Sequence, residues 1–195
     1  MSTVADFECQ LATFNIKSFL ADYSIKAPPV ESPAFVFDKK FLGANDSDMF
    51  MTLTAWKDKY LKNYSGELLL QMDIEGAEYE VFLSTPPEIL DTFRIIVVEF
   101  HYLEKMFDPI VFTFFRATFE KILKNFRVVH LHPNNRTGIV RKGELEVPMT
   151  IEITFYNNRR ITGGRPVRNF PHPLDRENAP NLKPLSLPEC WYISE

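Results

Sequence analysis

Residues 67–82 read ELLLQMDIEGAEYEVF, and residues 94–101 read RIIVVEFH. Each stretch contains an apolar run of strand length that ends in acidic or imidazole side chains, and the segment between the two runs has the composition of a helix. Continuous apolar strands are typical of parallel sheets that are buried on both faces. In open parallel sheets the chemistry collects just past the carboxyl ends of the strands. Asp73, Glu75, Glu99 and His101 are therefore the first candidate site residues.

The rest of the chain alternates predicted strands and helices. Strands are predicted at residues 16–22, 35–42, 68–73, 95–100, 127–132 and 147–156, and helices at 6–15, 52–64 and 109–126. Pro86 and Pro87 divide residues 76–93 into two short helices, and residues 133–143 are predicted as a polar turn. The alternation predicts an α/β fold: a mainly parallel sheet with helices on both faces and an antiparallel C-terminal hairpin at its edge.

Composition changes near the end of the chain. Residues 1–158 are predicted to form one α/β domain, because 195 residues suffice for one domain with a sizeable core. Residues 159–195 are rich in proline and are predicted to form an irregular tail. Its aromatic side chains, Phe170, Trp191 and Tyr192, indicate that parts of it pack on the domain.

The totals limit the class of protein. Apolar residues make up 45% and charged residues 25%, which is ordinary for a globular protein, and the formal net charge of −4 gives no electrostatic case for a nucleic-acid partner. Cys9 and Cys190 fit neither a disulfide framework nor a zinc site. We find no signal peptide and no apolar run of the roughly 18–20 residues that a membrane span needs. A cytoplasmic protein without a membrane span is the expectation.

Asp22 is the last residue of the first predicted strand. In α/β folds that bind nucleosides, a carboxylate at this place accepts hydrogen bonds from both ribose hydroxyls, since it offers paired acceptors. The alternative is an aspartate that stabilises a turn or caps a helix. Position alone leaves both interpretations open.

The carboxylates at and after the end of the 68–73 strand have different expected roles. Asp73 and Glu75 flank Ile74, so their side chains point to the same side if the strand continues. Glu78 and Glu80 fall in the first turns of a predicted helix, where negative charge is favourable against the helix dipole. We interpret these two as helix-start charges rather than catalytic groups.

The histidines admit several roles. His101 could take a proton from a substrate hydroxyl, bind a metal beside Glu99, or form a structural hydrogen bond. His130 and His132 share a strand face, with a spacing that suits either a metal pair or a simple edge strand, and His172 is interpreted as tail packing. We assign no residue to a metal site.

Residues 70–81, LQMDIEGAEYEV, resemble the signature segment of the FkbM family of S-adenosylmethionine-dependent methyltransferases, and VVEFH at 97–101 is similar to the next segment of that family. DFE at 6–8, LADYS at 20–24 and PHPLD at 171–175 are also similar to this group. The resemblance implies a Rossmann-like methyltransferase fold. It also implies methylation of a hydroxyl, typically on a sugar or other small-molecule scaffold.

The resemblance further implies roles for single residues. Asp22 would bind the cofactor ribose, and Asp73 would lie beside the transferred methyl group. The catalytic set is Asp73, His101 and Glu75, with His101 or Asp73 as the base that a hydroxyl acceptor requires. The same carboxylates could instead hold a divalent ion that polarises the hydroxyl.

One departure from the family concerns the start of the chain. FkbM proteins open with a strand and a glycine-containing loop, whereas no Gly-x-Gly pattern occurs here before Gly43. We expect either an N-terminal truncation or a natural loss of the cofactor loop. The competing function is therefore a non-catalytic, methyltransferase-like binding domain, and a nucleoside-binding protein of other chemistry is a third. A homodimer is left open.

Overall fold

The computed structural model describes residues 5–192. The chain divides into two compact units, the first ending at Tyr64 and the second beginning at Ser65. Residues 1–4 and 193–195, which belong to the predicted domain and tail respectively, lie outside the described range. No helix in the described part of the chain is long and apolar enough to cross a membrane.

The first unit contains two short parallel strand pairs and two helices. Its elements are α1 (Asp6–Thr13), β1 (Ser18–Ala21), β2 (Phe35–Asp38), β3 (Phe41–Leu42), β4 (Phe50–Met51) and α2 (Leu53–Leu61). Strand β1 pairs with β2, and β3 pairs with β4. The single strand predicted at 35–42 is wrong, because a tight turn, closed by the Lys40 amide donating to the Asp38 carbonyl at 2.8 Å, divides it. Helix α2 is capped at its start by Thr52, whose hydroxyl accepts from the Ala55 amide at 3.1 Å.

The second unit contains one larger sheet with its helices. Its elements are β5 (Leu68–Met72), α3 (Glu78–Ser84), α4 (Pro87–Leu90), β6 (Phe93–Phe100), α5 (Pro109–Leu123), β7 (Phe126–Pro133), β8 (Ile139–Lys142), β9 (Leu145–Pro148) and β10 (Ile151–Asn157). Short 3-10 helices lie at Leu103–Phe107, Asn158–Arg160 and Glu189–Trp191. The two helices predicted on either side of the proline pair are confirmed as α3 and α4.

The four-stranded sheet has the order β5-β6-β10-β7. Strands β5 and β6 are parallel, whereas β10 is antiparallel to both of its neighbours. The predicted antiparallel pairing of the last strand with β7 is confirmed. The expectation of a mainly parallel sheet with this strand at its edge is wrong, because β10 lies inside the sheet and makes it mixed. A central place satisfies the backbone groups on both sides of β10, whose apolar face is fully buried.

The strand predicted at 147–156 is divided in two. Its first part belongs to β9. This strand pairs with β8, which lies within residues 133–143 that were predicted as a turn. Pro148 lacks the amide needed to continue a ladder. The Met149 amide instead donates to the Gly138 carbonyl at 3.0 Å, and the chain then turns into β10. The predicted turn thus contains a strand of its own.

The two faces of the sheet differ. On one face Ile96, Val98 and Phe100 are fully buried, and the Phe100 ring packs against Phe82 of α3 and Phe119 of α5. Residues on the other face of β6 are only partly buried. The prediction that β5 and β6 are buried on both faces is therefore wrong: both alternate, and the less buried face carries the polar side chains.

The irregular C-terminal segment makes specific contacts with the second unit. The Asn135 amide group donates to the Ala179 carbonyl at 3.0 Å and accepts from the Ala179 amide at 2.9 Å. The Trp191 indole donates to the Glu146 carbonyl at 2.9 Å. These bonds place parts of the tail against the β8–β9 hairpin and the end of β7.

Candidate functional site

The loop after β5 turns sharply because of two residues with left-handed backbone. Glu75 has φ 56° and Gly76 has φ 107°. A β-carbon on Gly76 would lie 2.5 Å from Cε2 of the Tyr102 ring, so any larger residue would force that ring to move. Tyr102 itself has φ 60°. Non-glycine residues in this region are strained, and such strain is concentrated at functional sites.

Glu78 joins the two loops. Its side chain is fully buried, and Oε1 accepts from the amides of Ile74 and Gly76, both at 3.1 Å. The same oxygen lies 3.0 Å from Nδ1 of His101. One carboxylate therefore fixes both the turn after β5 and the orientation of the imidazole after β6.

His101 lies at the centre of a group of carboxylates. The backbone of His101 is held by the Tyr79 hydroxyl, which donates to its carbonyl at 2.8 Å. Its Nε2 lies 3.5 Å from Oε2 of Glu75, 3.6 Å from Oε2 of Glu99 and 3.8 Å from Oδ1 of Asp73. The His101 side chain is 12% exposed, and that of Asp73 is 50% exposed. We call Asp73, Glu75, Glu78, Glu99 and His101 the carboxylate–imidazole cluster.

The charges of this cluster shift one another's ionisation. Burial lowers the pKa of His101, but the hydrogen bond with Glu78 and the negative charges of Glu78, Glu99 and Asp73 outweigh it and raise the pKa to about 9. Burial raises the pKa of Asp73, and it raises the pKa of Glu99 against the opposing hydrogen bond from Asn134. The cluster therefore combines an imidazole of raised pKa with two carboxyl groups of raised pKa, those of Asp73 and Glu99.

Further ionisable side chains lie beside Glu99 on the next two strands of the sheet, β10 and β7. Glu152 of β10 is paired with Glu99 on one side and with His132 of β7 on the other. Burial raises the pKa of Glu152. At the far strand, Asp175 of the tail lies 2.9 Å from Nε2 of His130 and 3.5 Å from Nδ1 of His132. The two histidines thus share a strand face as predicted, with a carboxylate between them.

The comparisons with known proteins add one finding. Residues 51–127 match the methyltransferase FkbM domain. The predicted resemblance to the FkbM family is confirmed over this stretch, which is less than half of the chain but holds every member of the carboxylate–imidazole cluster. No curated protein and no solved structure matches the chain.

The FkbM match supports methyl transfer in general terms. The structure brings three of the predicted site residues, Asp73, Glu75 and His101, into one cluster at the carboxyl ends of β5 and β6. Asp73, Glu99 and His101 each offer one ligand atom, and these atoms lie within 4.8 Å of one another. This set could hold a metal ion, which is the alternative that the sequence analysis left open for His101 and these carboxylates without assigning a ligand.

Asp22 lies in the other unit, directly after β1. Its Oδ1 accepts from the Ser24 amide at 2.7 Å and from the Ser24 hydroxyl at 2.6 Å. Burial opposes ionisation of this carboxyl, but the two bonds from Ser24 favour it, and its pKa is lowered. The turn role left open by the sequence is therefore present. Asp22 lies outside the residues that match the FkbM domain, and its role in binding the cofactor ribose stays a prediction.

Sequence reasoning missed the importance of Glu78. The interpretation of Glu78 as a helix-start charge is incomplete, since the Glu78 side chain folds back onto the loop amides and reaches His101. The signal was present in the FkbM signature: an acidic residue at a helix start can fold back onto free backbone amides, as in a capping box. Glu152 was also missed, because its neighbours across the sheet depend on strand order.

Proposed function

We propose that this protein transfers the methyl group of S-adenosylmethionine to a hydroxyl of a sugar or other small-molecule acceptor, on a Rossmann-like methyltransferase fold. The observation that carries the proposal is the carboxylate–imidazole cluster at the ends of β5 and β6, inside the residues that match the FkbM domain. Partly exposed Asp73 gives the cluster a side open to a substrate.

The residues present fit this cofactor in chemistry and charge. S-adenosylmethionine supplies a reactive methyl group on a positively charged sulfur. Asp73, Glu75 and Glu99 offer negative charge that favours a cation nearby. Asp22 is a carboxylate, the kind of group that accepts hydrogen bonds from ribose hydroxyls, and bonds from Ser24 to its Oδ1 hold it in place. We therefore assign cofactor binding to Asp22 and Asp73.

The transfer needs a base as well as positioning. The acceptor oxygen forms a bond to the methyl carbon while the bond from carbon to sulfur breaks, and the hydroxyl proton passes to a side chain. Asp73 is the better placed of the two nominated bases, because half of its side chain is exposed whereas His101 is largely enclosed and bound to Glu78. Burial raises the pKa of Asp73, which makes it a stronger base than an ordinary aspartate.

His101 and Glu75 then act beside Asp73. The imidazole, anchored through Nδ1, holds its Nε2 3.8 Å from Oδ1 of Asp73 and 3.5 Å from Oε2 of Glu75. Glu75 is largely exposed, and its Oε2 lies 3.5 Å from the same Nε2 of His101 that Asp73 approaches. It is suited to bind an acceptor hydroxyl rather than to support the fold.

The test is calorimetric titration of S-adenosylmethionine and S-adenosylhomocysteine into the full chain, followed by the Asp22→Asn and Asp73→Asn variants. We expect saturable binding by the unmodified chain and weaker binding by both variants. Asp58→Asn is the matched control, because Asp58 is an exposed aspartate of α2. Failure of the unmodified chain to bind either compound would contradict the proposal and favour the non-catalytic binding domain.

A further inference from the structure

We propose that Asp73, Glu99 and His101 form a binding site for one divalent transition-metal ion. Asp73 follows β5, Glu99 lies in β6, and His101 follows β6, so two adjacent parallel strands present all three. Each side chain contributes one ligand atom, and these atoms lie within 4.8 Å of one another. The role of the ion in catalysis rests on the proposed methyl transfer, but its binding does not.

The separations within the group fit a shared ion better than direct hydrogen bonds. Nε2 of His101 is 3.6 Å from Oε2 of Glu99 and 3.8 Å from Oδ1 of Asp73. A hydrogen bond would bring nitrogen and oxygen to about 2.7–3.2 Å. Two ligand atoms that each lie about 2.0–2.2 Å from a tetrahedral ion are about 3.3–3.6 Å apart. Small movements of either carboxylate would complete such a geometry.

The orientation of the imidazole is that of a metal ligand. Histidines that bind metals almost always use the second ring nitrogen to bond a carboxylate, carbonyl or water, which fixes the ring. Here Nδ1 of His101 meets Oε1 of the buried Glu78 at 3.0 Å, so Nε2 faces the other carboxylates. Glu99 is fixed in the same way: its Oε1 accepts from Asn134 at 2.6 Å, and its Oε2 is the oxygen nearer to His101.

A separate observation concerns charge. Glu78 Oε2 is buried without a hydrogen-bond partner among residues 5–192, although the side chain is fully enclosed. In the same range, every ion pair formed by Asp73, Glu75, Glu78 and Glu99 goes to the single imidazole of His101. Four carboxylates around one histidine leave negative charge that a divalent ion would offset. A mixed set of imidazole and carboxylate favours a transition metal over magnesium.

An ion at this place would polarise an acceptor hydroxyl as a Lewis acid. Asp73 would then bind the ion in place of its role as the base. The hydroxyl proton would pass to the exposed Glu75, the oxygen would bond to the methyl carbon, and the bond from that carbon to the donor sulfur would break. The same cluster would thus supply both the activation of the hydroxyl and the proton acceptor.

The test measures metal binding without any methyl donor. The full chain, stripped with EDTA, is titrated with Co²⁺ and followed by its visible absorption, which reports coordination directly. We expect one saturating site, and at least tenfold weaker binding in Asp73→Asn, Glu99→Gln and His101→Gln. Glu78→Gln should weaken binding about 10- to 100-fold, as second partners of metal ligands do. Circular dichroism of each variant shows whether the fold survives.

Matched controls and alternatives make the outcome decisive. Asp58→Asn, Glu120→Gln and His172→Gln change the same residue types at exposed positions and should bind Co²⁺ as the unmodified chain does. Absence of a saturable Co²⁺ signal overturns the proposal. So does a site that is lost in His130→Gln but kept in His101→Gln. Titration of S-adenosylmethionine into metal-free protein is scored separately, so each proposal can fail alone.

Discussion

Single side chains at the turn after β5 determine how closely the two loops approach. Gly76→Ala should destabilise the protein beyond the usual cost of left-handed backbone, which is about 1–2 kcal/mol for a non-glycine residue. The added β-carbon would also meet the Tyr102 ring at 2.5 Å, and overpacking typically costs about 1–3 kcal/mol more. The free energy of unfolding from urea denaturation measures the effect.

Gly138→Ala is the control for this turn. Gly138 also has positive φ, 83°, but a β-carbon there would meet nothing within 4 Å. Gly138→Ala should therefore lower the free energy of unfolding only by the cost of left-handed backbone at a non-glycine residue. Equal losses in the two variants would mean that contact with Tyr102 contributes nothing, and a Tyr102→Ala background should remove the difference if contact is the cause.

The carboxylate of Asp22 should make stability depend on pH. Its pKa is lowered in the folded protein, with burial opposing the shift and the bonds from Ser24 favouring it. A lowered folded pKa contributes stability that is present above the unfolded value near 4 and is lost as pH falls through the folded value. Melting temperatures of the unmodified chain and Asp22→Asn should therefore differ at pH 6 and converge below about pH 4.

Asp58→Asn serves again as the comparison, since Asp58 lies exposed on α2 and its only ion pair in the described residues is with the neighbouring Lys57. Its difference from the unmodified chain should stay small throughout. A gap for Asp22→Asn that persists unchanged at pH 3 would contradict the assigned effect of charge.

Among the elements, α5 depends on one cap. The Asp108 carboxylate accepts from the amides of Ile110 and Val111 at 2.8 and 3.1 Å, and Pro109 occupies the first helical position. Asp108→Ala should lower the free energy of unfolding by about 1 kcal/mol, the typical cost of a lost N-cap. Asp108→Asn, which keeps the acceptor oxygen, should change it much less, and equal effects would argue against capping.

The elements also show what local sequence patterns can predict. The sequence predicted correctly that Asp73 and His101 lie close together. The reason is that β5 and β6 are adjacent parallel strands, whose carboxyl ends lie at the same edge of the sheet. The position of β10 was not predictable in this way, since strand order depends on contacts distant in sequence. The break at Met149 depends on pairing between β8 and β9, and the burial of Glu78 depends on the shape of one turn.

In the molecule taken as a whole, the central strands of the second unit should be the most stable part. Strands β6 and β10 have neighbours on both sides, and Ile96, Val98 and Phe155 are fully buried. Hydrogen exchange should be slowest there and much faster in the two-stranded β8–β9 hairpin, where few buried contacts oppose local opening. Similar exchange rates in both would contradict this ranking.

The interior position of β10 also has a consequence for synthesis on the ribosome. Residues 151–157 form the last strand among residues 5–192, yet they fill the gap between β6 and β7. Until they are translated, both neighbouring strands expose an unpaired edge beside a large apolar surface. Nascent chains that stall before Ile151 should therefore be targets for chaperones and prone to aggregate, however well β5 and β6 have already formed.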